Sequence, residues 1–198
     1  TALYLSRFAR GRTGSFLRSG VELLAGIPSV VYGFFGLVII VPFVRLLGPG
    51  TGLSVLAASL ILGIMILPTV ITVAQSALDA VPARYYEGAL ALGVDHEHAV
   101  FKVVAPAAAS GIMAAIVLGL GRAIGETMAV VMVAGNMPII PDSLLSGVRT
   151  MTANIVLEMG YAADLHREAL IATGVVLFVF ILLITMLLNV IRKRGEAR

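Results

Sequence analysis

The segment Asp79–Pro106, DAVPARYYEGALALGVDHEHAVFKVVAP, is a polar stretch between two long apolar runs of this chain. Pro82 is placed to begin a short helix, and Gly93 is placed to end it. Asp95 can cap a second helix, and Pro106 marks the entry into the next apolar run. A connector that only joins two membrane spans can be much shorter. The segment is therefore predicted to be a loop of two short helices that contacts a soluble partner.

The composition of the chain is that of a membrane protein. Of its 198 residues, 59% are hydrophobic and 13% are charged, and the mean hydropathy is +1.03. Soluble domains are about 45–50% apolar and about 25% charged. The net charge of +3 does not indicate nucleic acid, because the basic residues cluster beside apolar runs. The chain has no cysteine, which excludes disulfides and thiolate metal sites.

Four apolar runs are long enough to cross a bilayer as helices, which requires about 20 residues for about 30 Å of hydrocarbon. They are Ala25–Leu47, Leu53–Ala74, Val103–Ala134 and Ala169–Ile191. The third is too long for one straight span, so its first turns are expected at or below the interface. The predicted fold class is all-α, a polytopic transmembrane helix bundle of about four spans, forming one domain over residues 1–198.

The distribution of positive charge predicts the orientation. With the N-terminus inside, ten basic residues fall in inner segments, namely Arg7, Arg10, Arg12, Arg18, Arg84, Lys102, Arg192, Lys193, Arg194 and Arg198. Only three, Arg45, Arg149 and Arg167, fall in outer segments. The positive-inside rule then places both ends of the chain and residues 79–106 in the cytoplasm. Residues 135–168 form an extracytoplasmic segment.

Two charged residues, Arg122 and Glu126, interrupt the third apolar run. On a continuous helix residues four apart share one face, so these side chains could pair. Ionisable residues within a span are costly and usually face the interior of the bundle, where they mark substrate pathways. We interpret the pair as part of a translocation pathway. The alternative is a structural pair that only locks the bundle.

The spacing within the polar segment is that of a known motif. Glu87-Gly88-Ala89, three residues, Gly93, nine residues, then Val103, Ala105 and Pro106 resemble the EAA loop of ABC-importer permeases, E-A-A-x3-G-x9-I-x-L-P. Gly88 and Ala105 depart from that pattern and remain small or apolar. In the family this loop docks into a groove on the ATP-hydrolysing subunit. The resemblance implies an ATPase-coupling loop that includes Arg84, Tyr85, Glu87, Gly88, Ala89 and Gly93.

Three further stretches look like the permease subunits of phosphate ABC importers, closer to the C type than to the A type. They are LLAGIPSVVYGFFGL (Leu23–Leu37), RAIGETMAVVMVAGN (Arg122–Asn136) and GVRTMTANIVLEMGYA (Gly147–Ala162). The resemblance implies a MetI-like permease fold with six spans. This chain would hold the C-terminal four, with Ala2–Leu5 the tail of the second. It also implies that Arg122 and Glu126 match a charged pair needed for phosphate passage.

The sequence does not support an enzyme. It has no G-x4-G-K-[ST] motif for ATP phosphates, and its only lysines are Lys102 and Lys193. Ser29 and Ser110 have no triad companions, so no catalytic residue is assigned. His96 and His98 are not accompanied by further ligands, so neither a metal nor a cofactor is predicted.

The resemblance also implies the partners. These are a second permease subunit, ATP-binding subunits that hydrolyse ATP, and an extracytoplasmic phosphate-binding protein, all at the inner or plasma membrane of a bacterial-type cell. Three alternatives stay open. The chain could be a permease for another oxyanion such as molybdate or sulfate, an ion-coupled carrier with Glu126 as its proton site, or an intramembrane enzyme.

Overall fold

The computed structural model describes residues 1–9 and 11–196, with side chains up to Val190. Arg10 and the side chains of Arg192, Lys193, Arg194 and Arg198, which entered the orientation count, lie outside this part. The described residues are helical apart from their connections and one isolated β-bridge between Gly135 and Val148. The prediction of an all-α fold is therefore confirmed.

Ten helices form the described part of the chain. In order they are α1 Ala2–Arg7, α2 Gly11–Gly26, α3 Ser29–Arg45, α4 Val55–Asp79, α5 Ala83–Ala91, α6 His96–Ala107, α7 Ala109–Gly125, α8 Met128–Val133, α9 Met151–Glu158 and α10 Asp164–Glu196.

Two of these helices are long and apolar enough to cross a membrane without interruption: α4, and α10 over Asp164–Val190. Two further spans are possible if each of two bent helix pairs counts as one. The pair α2 and α3 is bent by 97°, and the pair α6 and α7 by 65°. The total of up to four agrees with the predicted number of spans.

Prolines determine where two of the apolar runs change direction. Pro28 is extended, with φ −60° and ψ 144°, and α3 begins directly after it. Pro42 and Pro106 are tolerated inside α3 and α6, and each lies two residues beyond a π-helical turn, Gly36–Ile40 and Val100–Val104 respectively. Because proline lacks an N–H donor, the wider turn adjusts the backbone hydrogen bonds around it.

Two predictions about the runs were wrong in detail. The first run was predicted to start at Ala25, whereas α2 already begins at Gly11 and carries exposed Phe16 and Leu23 beside its arginines. The third run was predicted to continue to Ala134, but its helix ends at Gly125 and restarts at Met128.

The chain forms two compact units. The first comprises Thr1–Gly26, Leu67–Leu120 and the residues from Thr185 onward, and the second comprises Ile27–Ile66 and Gly121–Ile184. The first unit contains the polar loop. The second contains Arg122 and Glu126.

The core of the second unit depends on close approach between α3 and α8. Tyr32, Ile61, Met65 and Val133 belong to one buried apolar cluster. Gly33 faces this contact, and a Cβ added there would lie 2.8 Å from the Cα of Ala129 and 2.8 Å from the Sδ of Met132. Small residues allow membrane helices to pack at such short distances.

We expect Gly33→Ala to destabilise the second unit by about 1–3 kcal/mol, the usual cost of overpacking a filled core. The new methyl would press on backbone atoms, which cannot rotate away. The matched control is Gly63→Ala on α4, where nothing lies within 4 Å of the added carbon. Thermal unfolding of both variants in detergent measures the difference. Equal melting temperatures would contradict the prediction.

Candidate functional site

The polar loop contains the two predicted helices. Pro82 occupies the position directly before α5, without a capping hydrogen bond from its side chain, and the helix ends at Ala91. Gly93 follows with φ +83°, a conformation that glycine adopts without strain. The Gly93 N–H donates to Leu90 O at 2.9 Å and the Val94 N–H donates to Ala89 O at 3.1 Å. These two bonds are those of a Schellman motif, so the predicted helix stop at Gly93 has a defined structural basis.

The second loop helix begins at the predicted cap. The His98 backbone N–H donates to Asp95 Oδ1 at 3.1 Å, and the His98 Nδ1 lies 2.6 Å from the same oxygen. The hydrogen bond from the His98 N–H is the main reason that the pKa of Asp95 lies below its ordinary value of 3.8. Both the backbone N–H and the Nδ1 of His98 are therefore paired with the capping carboxylate of Asp95.

A ring cluster of Phe8, Tyr86, His96 and Phe101 joins the two loop helices to the N-terminal segment of the chain. The Tyr86 hydroxyl lies 2.7 Å from His96 Nδ1, and the His96 ring meets the Phe8 ring edge-on at 4.8 Å. Ser6 Oγ also donates to Asp79 Oδ1 at 2.5 Å, at the start of the loop. Sequence reasoning missed this cluster, because its members are widely separated along the chain.

We expect Tyr86→Phe to loosen α5, since it removes the hydrogen bond to His96 and keeps the ring. A bond of this kind contributes about 1 kcal/mol, so amide hydrogen exchange across Ala83–Ala91 should accelerate by about two- to tenfold. The control is Tyr85→Phe on the same helix, where Tyr85 is half-exposed. Identical exchange in both variants would show that the Tyr86 hydroxyl does not hold α5.

The predicted coupling residues divide between the two faces of α5. Arg84, Tyr85, Glu87 and Gly88 are exposed, and the Arg84 guanidinium lies 5.7 Å from the centre of the Tyr85 ring. Ala89 is buried, so it packs inward. Leu92, which sequence reasoning did not single out, is 86% exposed just beyond the helix. The outer face of α5 therefore combines charged, aromatic and aliphatic groups, as protein-binding surfaces do.

Arg122 and Glu126 lie on either side of a helix end. Arg122 is in the last turn of α7, within electrostatic range of Tyr32. Glu126 lies beyond the helix, and its Oε1 accepts a hydrogen bond from the Ala129 N–H at 3.1 Å. The carboxylate thus occupies the N-terminal end of α8, where it satisfies a free backbone donor. The continuous helix on which the predicted pairing rested does not reach Glu126, and the pairing stays a prediction.

A cavity of about 240 Å³ opens beside Glu126 within the second unit. Its polar walls are formed by Glu126, Ser59, Thr150 and Thr152, and apolar residues including Val55 and Val130 form the remainder. One water takes about 30 Å³ in the liquid, so the cavity has room for a small polyatomic ion with waters. The three hydroxyl residues were not predicted as site residues, because they lie far from Arg122 in the sequence.

A chain of hydrogen bonds connects these hydroxyl groups to the helix break. The Thr152 hydroxyl donates to the Glu126 carbonyl at 3.2 Å, and the Thr150 and Thr152 oxygens lie 3.1 Å apart. The Thr152 hydroxyl has a single proton, which it donates to the backbone carbonyl of Glu126. Thr150 is therefore the donor in the hydrogen bond between the two threonine hydroxyls. Thr150 also caps α9 by accepting from the Ala153 N–H at 3.2 Å. The start of α9 and the break at Glu126 are thus fixed to each other.

The segment 135–168 has its own polar network. Glu158 accepts from Arg149 Nη1 at 2.5 Å with one carboxylate oxygen, and its other oxygen lies 2.9 Å from His166 Nε2. Arg149 Nε also donates to Asn136 O at 3.0 Å. Among the residues with described side chains, no group of three or more His, Asp or Glu could hold a metal ion.

Comparisons with known proteins agree with this architecture. The family model described as "Binding-protein-dependent transport system inner membrane component" matches residues 1–196. A chain of the MetNI methionine ABC transporter, solved in inward-facing conformations, superposes with a TM-score of 0.73 at 22% identity. The match covers 98% of this chain and 82% of that chain. At that identity the likeness shows the fold alone.

Curated relatives are more similar in sequence. The probable ABC transporter permease protein YqgH of Bacillus subtilis is 38% identical, over 98% of this chain and 64% of its own length. The phosphate transport system permease protein PstC of Mesorhizobium japonicum is 37% identical, over 90% of this chain and 61% of its own. The PstC of Xylella fastidiosa strain Temecula1 is 34% identical, over 98% of this chain and 68% of its own length. The chain thus spans about two thirds or less of these relatives. Its own sequence, its fold and the family match agree, and the chain belongs to the family of binding-protein-dependent transport system inner membrane components.

Proposed function

We propose that this chain is a permease subunit of an ATP-driven ABC importer for inorganic phosphate. It is an integral membrane protein, and its part is to form the translocation pathway and to couple it to separate ATP-binding subunits. Phosphate as the substrate is supported by relatives named as phosphate transport permeases at 34% and 37% identity. Two of the described helices are long and apolar enough to be spans, and two bent helix pairs can each supply one more, as a permease requires.

The observation that carries the coupling role is the exposed face of α5. Arg84, Tyr85, Glu87 and Gly88 lie on that face, while the ring cluster beneath holds the helix in place. A rigid helix with an exposed mixed surface can transmit force from a soluble partner to the spans. The ATP-binding subunits bind this face in the cytoplasm, and their closure moves the loop 79–106 as a lever. Gly93 sets the angle between the two loop helices.

The translocation pathway includes Arg122 and Glu126. Arg122 offsets the charge of the phosphate, and Glu126 pairs with Arg122 when no phosphate is present, which prevents tight trapping. Residues 135–168 face outward and contact a phosphate-binding protein, and the permease domain, residues 1–198, pairs with a second permease subunit. Both ends of the chain lie in the cytoplasm, as the distribution of basic residues indicates.

The test is phosphate uptake in a permease-null cell that carries the full-length gene. We expect uptake to return and to stop when the partner ATPase is inactivated by mutation of its phosphate-binding lysine. Uptake that persists without ATPase activity would instead identify an ion-coupled carrier. Restored uptake of sulfate or molybdate, without phosphate, would identify a permease for another oxyanion.

A further inference from the structure

An anion pathway that contains a carboxylate poses a physical problem, because a carboxylate repels a fully ionised anion. Glu126 lines the cavity of the second unit together with Ser59, Thr150 and Thr152. Oε1 of Glu126 accepts from the Ala129 N–H. Carboxylate oxygens have about four lone-pair sites in total, so the group retains capacity to accept from a ligand.

Two of the three hydroxyl groups of the cavity, those of Thr150 and Thr152, do not resolve the problem by donating to the anion. The proton of Thr152 is directed to the Glu126 carbonyl and that of Thr150 to Thr152. The wall formed by Glu126, Thr150 and Thr152 therefore presents acceptors to the cavity. A ligand that fits an acceptor wall must bring a donor of its own.

We propose that this cavity binds a protonated oxyanion, with Glu126 accepting a hydrogen bond from its hydroxyl group. Phosphate at neutral pH retains at least one P–OH group, whereas sulfate has none. A site built to pair with a substrate hydroxyl disfavours an analogue that lacks it, because the acceptor then gains no hydrogen bond from the ligand and still repels its charge. Glu126 thus selects phosphate over sulfate, and Thr150 and Thr152 act as positioning residues that hold the helix break. This inference rests on the proposed function as a phosphate permease.

The chain has no cysteine, so a single cysteine introduced at the cavity is the only thiol of this chain and can serve as a probe of ligand binding. In membrane vesicles that contain the complete transporter, Ser59→Cys places a thiol on the cavity wall, and Leu62→Cys provides a second reporter on its apolar side. Mass spectrometry of the peptide that contains the new cysteine measures its rate of alkylation by a small maleimide. Inorganic phosphate and sulfate are added at equal concentration.

We expect phosphate to slow alkylation about tenfold more than sulfate does. One additional hydrogen bond to a charged group accounts for an affinity difference of about this size. Adding Glu126→Gln should bring the two anions to similar protection, since an amide can donate to sulfate. Ser143→Cys, exposed and outside the cavity, should react at the same rate with either anion.

Two results would overturn the inference. One is the absence of phosphate protection at both reporters in a transporter whose wild-type form takes up phosphate, in which case the proposed function stands without this site. The other is a preference for phosphate that Glu126→Gln leaves unchanged. A wild-type transporter that takes up no phosphate would instead refute the proposed function itself.

Discussion

Replacing Glu87 by lysine is expected to abolish phosphate uptake and to release the ATP-binding subunits from the membrane, while the permease itself stays inserted. Glu87 is exposed on α5 and its replacement leaves the packing beneath the helix unchanged, because the buried contacts come from Ala89 and the Tyr86–His96 pair. A reversed charge within a protein interface places like charges together, which costs several kcal/mol.

The matched control is Glu97→Lys, which reverses a carboxylate on α6, the other helix of the same loop. Glu97 is also exposed, so the two variants change the net charge of the loop equally. Uptake of labelled phosphate, together with the ATPase content of washed membranes, distinguishes them. If Glu87→Lys and Glu97→Lys retain wild-type uptake and ATPase content, then α5 is not the docking helix. If both variants lose uptake equally, the net charge of the loop matters rather than the position of Glu87.

Much of the fold could be predicted because lipid simplifies the physical problem. A span must satisfy its own backbone, so apolar length predicts helices, and α4 and α10 follow two of the predicted runs closely. Local chemistry was equally informative in the loop. Pro82, Gly93 and Asp95 act through their own backbone conformation or nearest N–H groups, and such effects extend over only a few residues.

Features that depend on tertiary contact could not be predicted. The break after Gly125 lies within an apolar run, and the Thr152 hydroxyl that bonds to the Glu126 carbonyl comes from a distant segment. The ring cluster around His96 likewise combines Phe8 with the loop. The amphipathic helix α2 escaped notice for a different reason. Its apolar side chains recur at helical spacing and alternate with polar and charged residues. They therefore form no continuous apolar run in the sequence.

The strongest test of the pathway is replacement of Arg122 by alanine, which we expect to reduce phosphate uptake by about tenfold to a hundredfold. This range corresponds to the free energy that a hydrogen bond to a charged group contributes. Arg122 is the last basic residue of α7, and Glu126 follows at the break, beside the cavity. Without the guanidinium, a phosphate in this region would meet the carboxylate with no nearby cation of α7 to offset the charge. The initial rate of labelled phosphate uptake, divided by the amount of permease in the membrane, measures the loss.

Arg122→Lys separates charge from geometry. Lysine keeps the positive charge as a single ammonium, whereas arginine offers a planar fork that binds two oxygens of an oxyanion at once. We therefore expect Arg122→Lys to retain more uptake than Arg122→Ala but less than the wild type. Arg45→Ala is the control, since Arg45 is an exposed arginine in the last turn of α3, in the same unit. Full uptake by Arg122→Lys would exclude bidentate recognition and leave a charge-only role. Full uptake by Arg122→Ala would remove Arg122 from the pathway, and the structural alternative, in which the charges only lock the bundle, would then account for both residues.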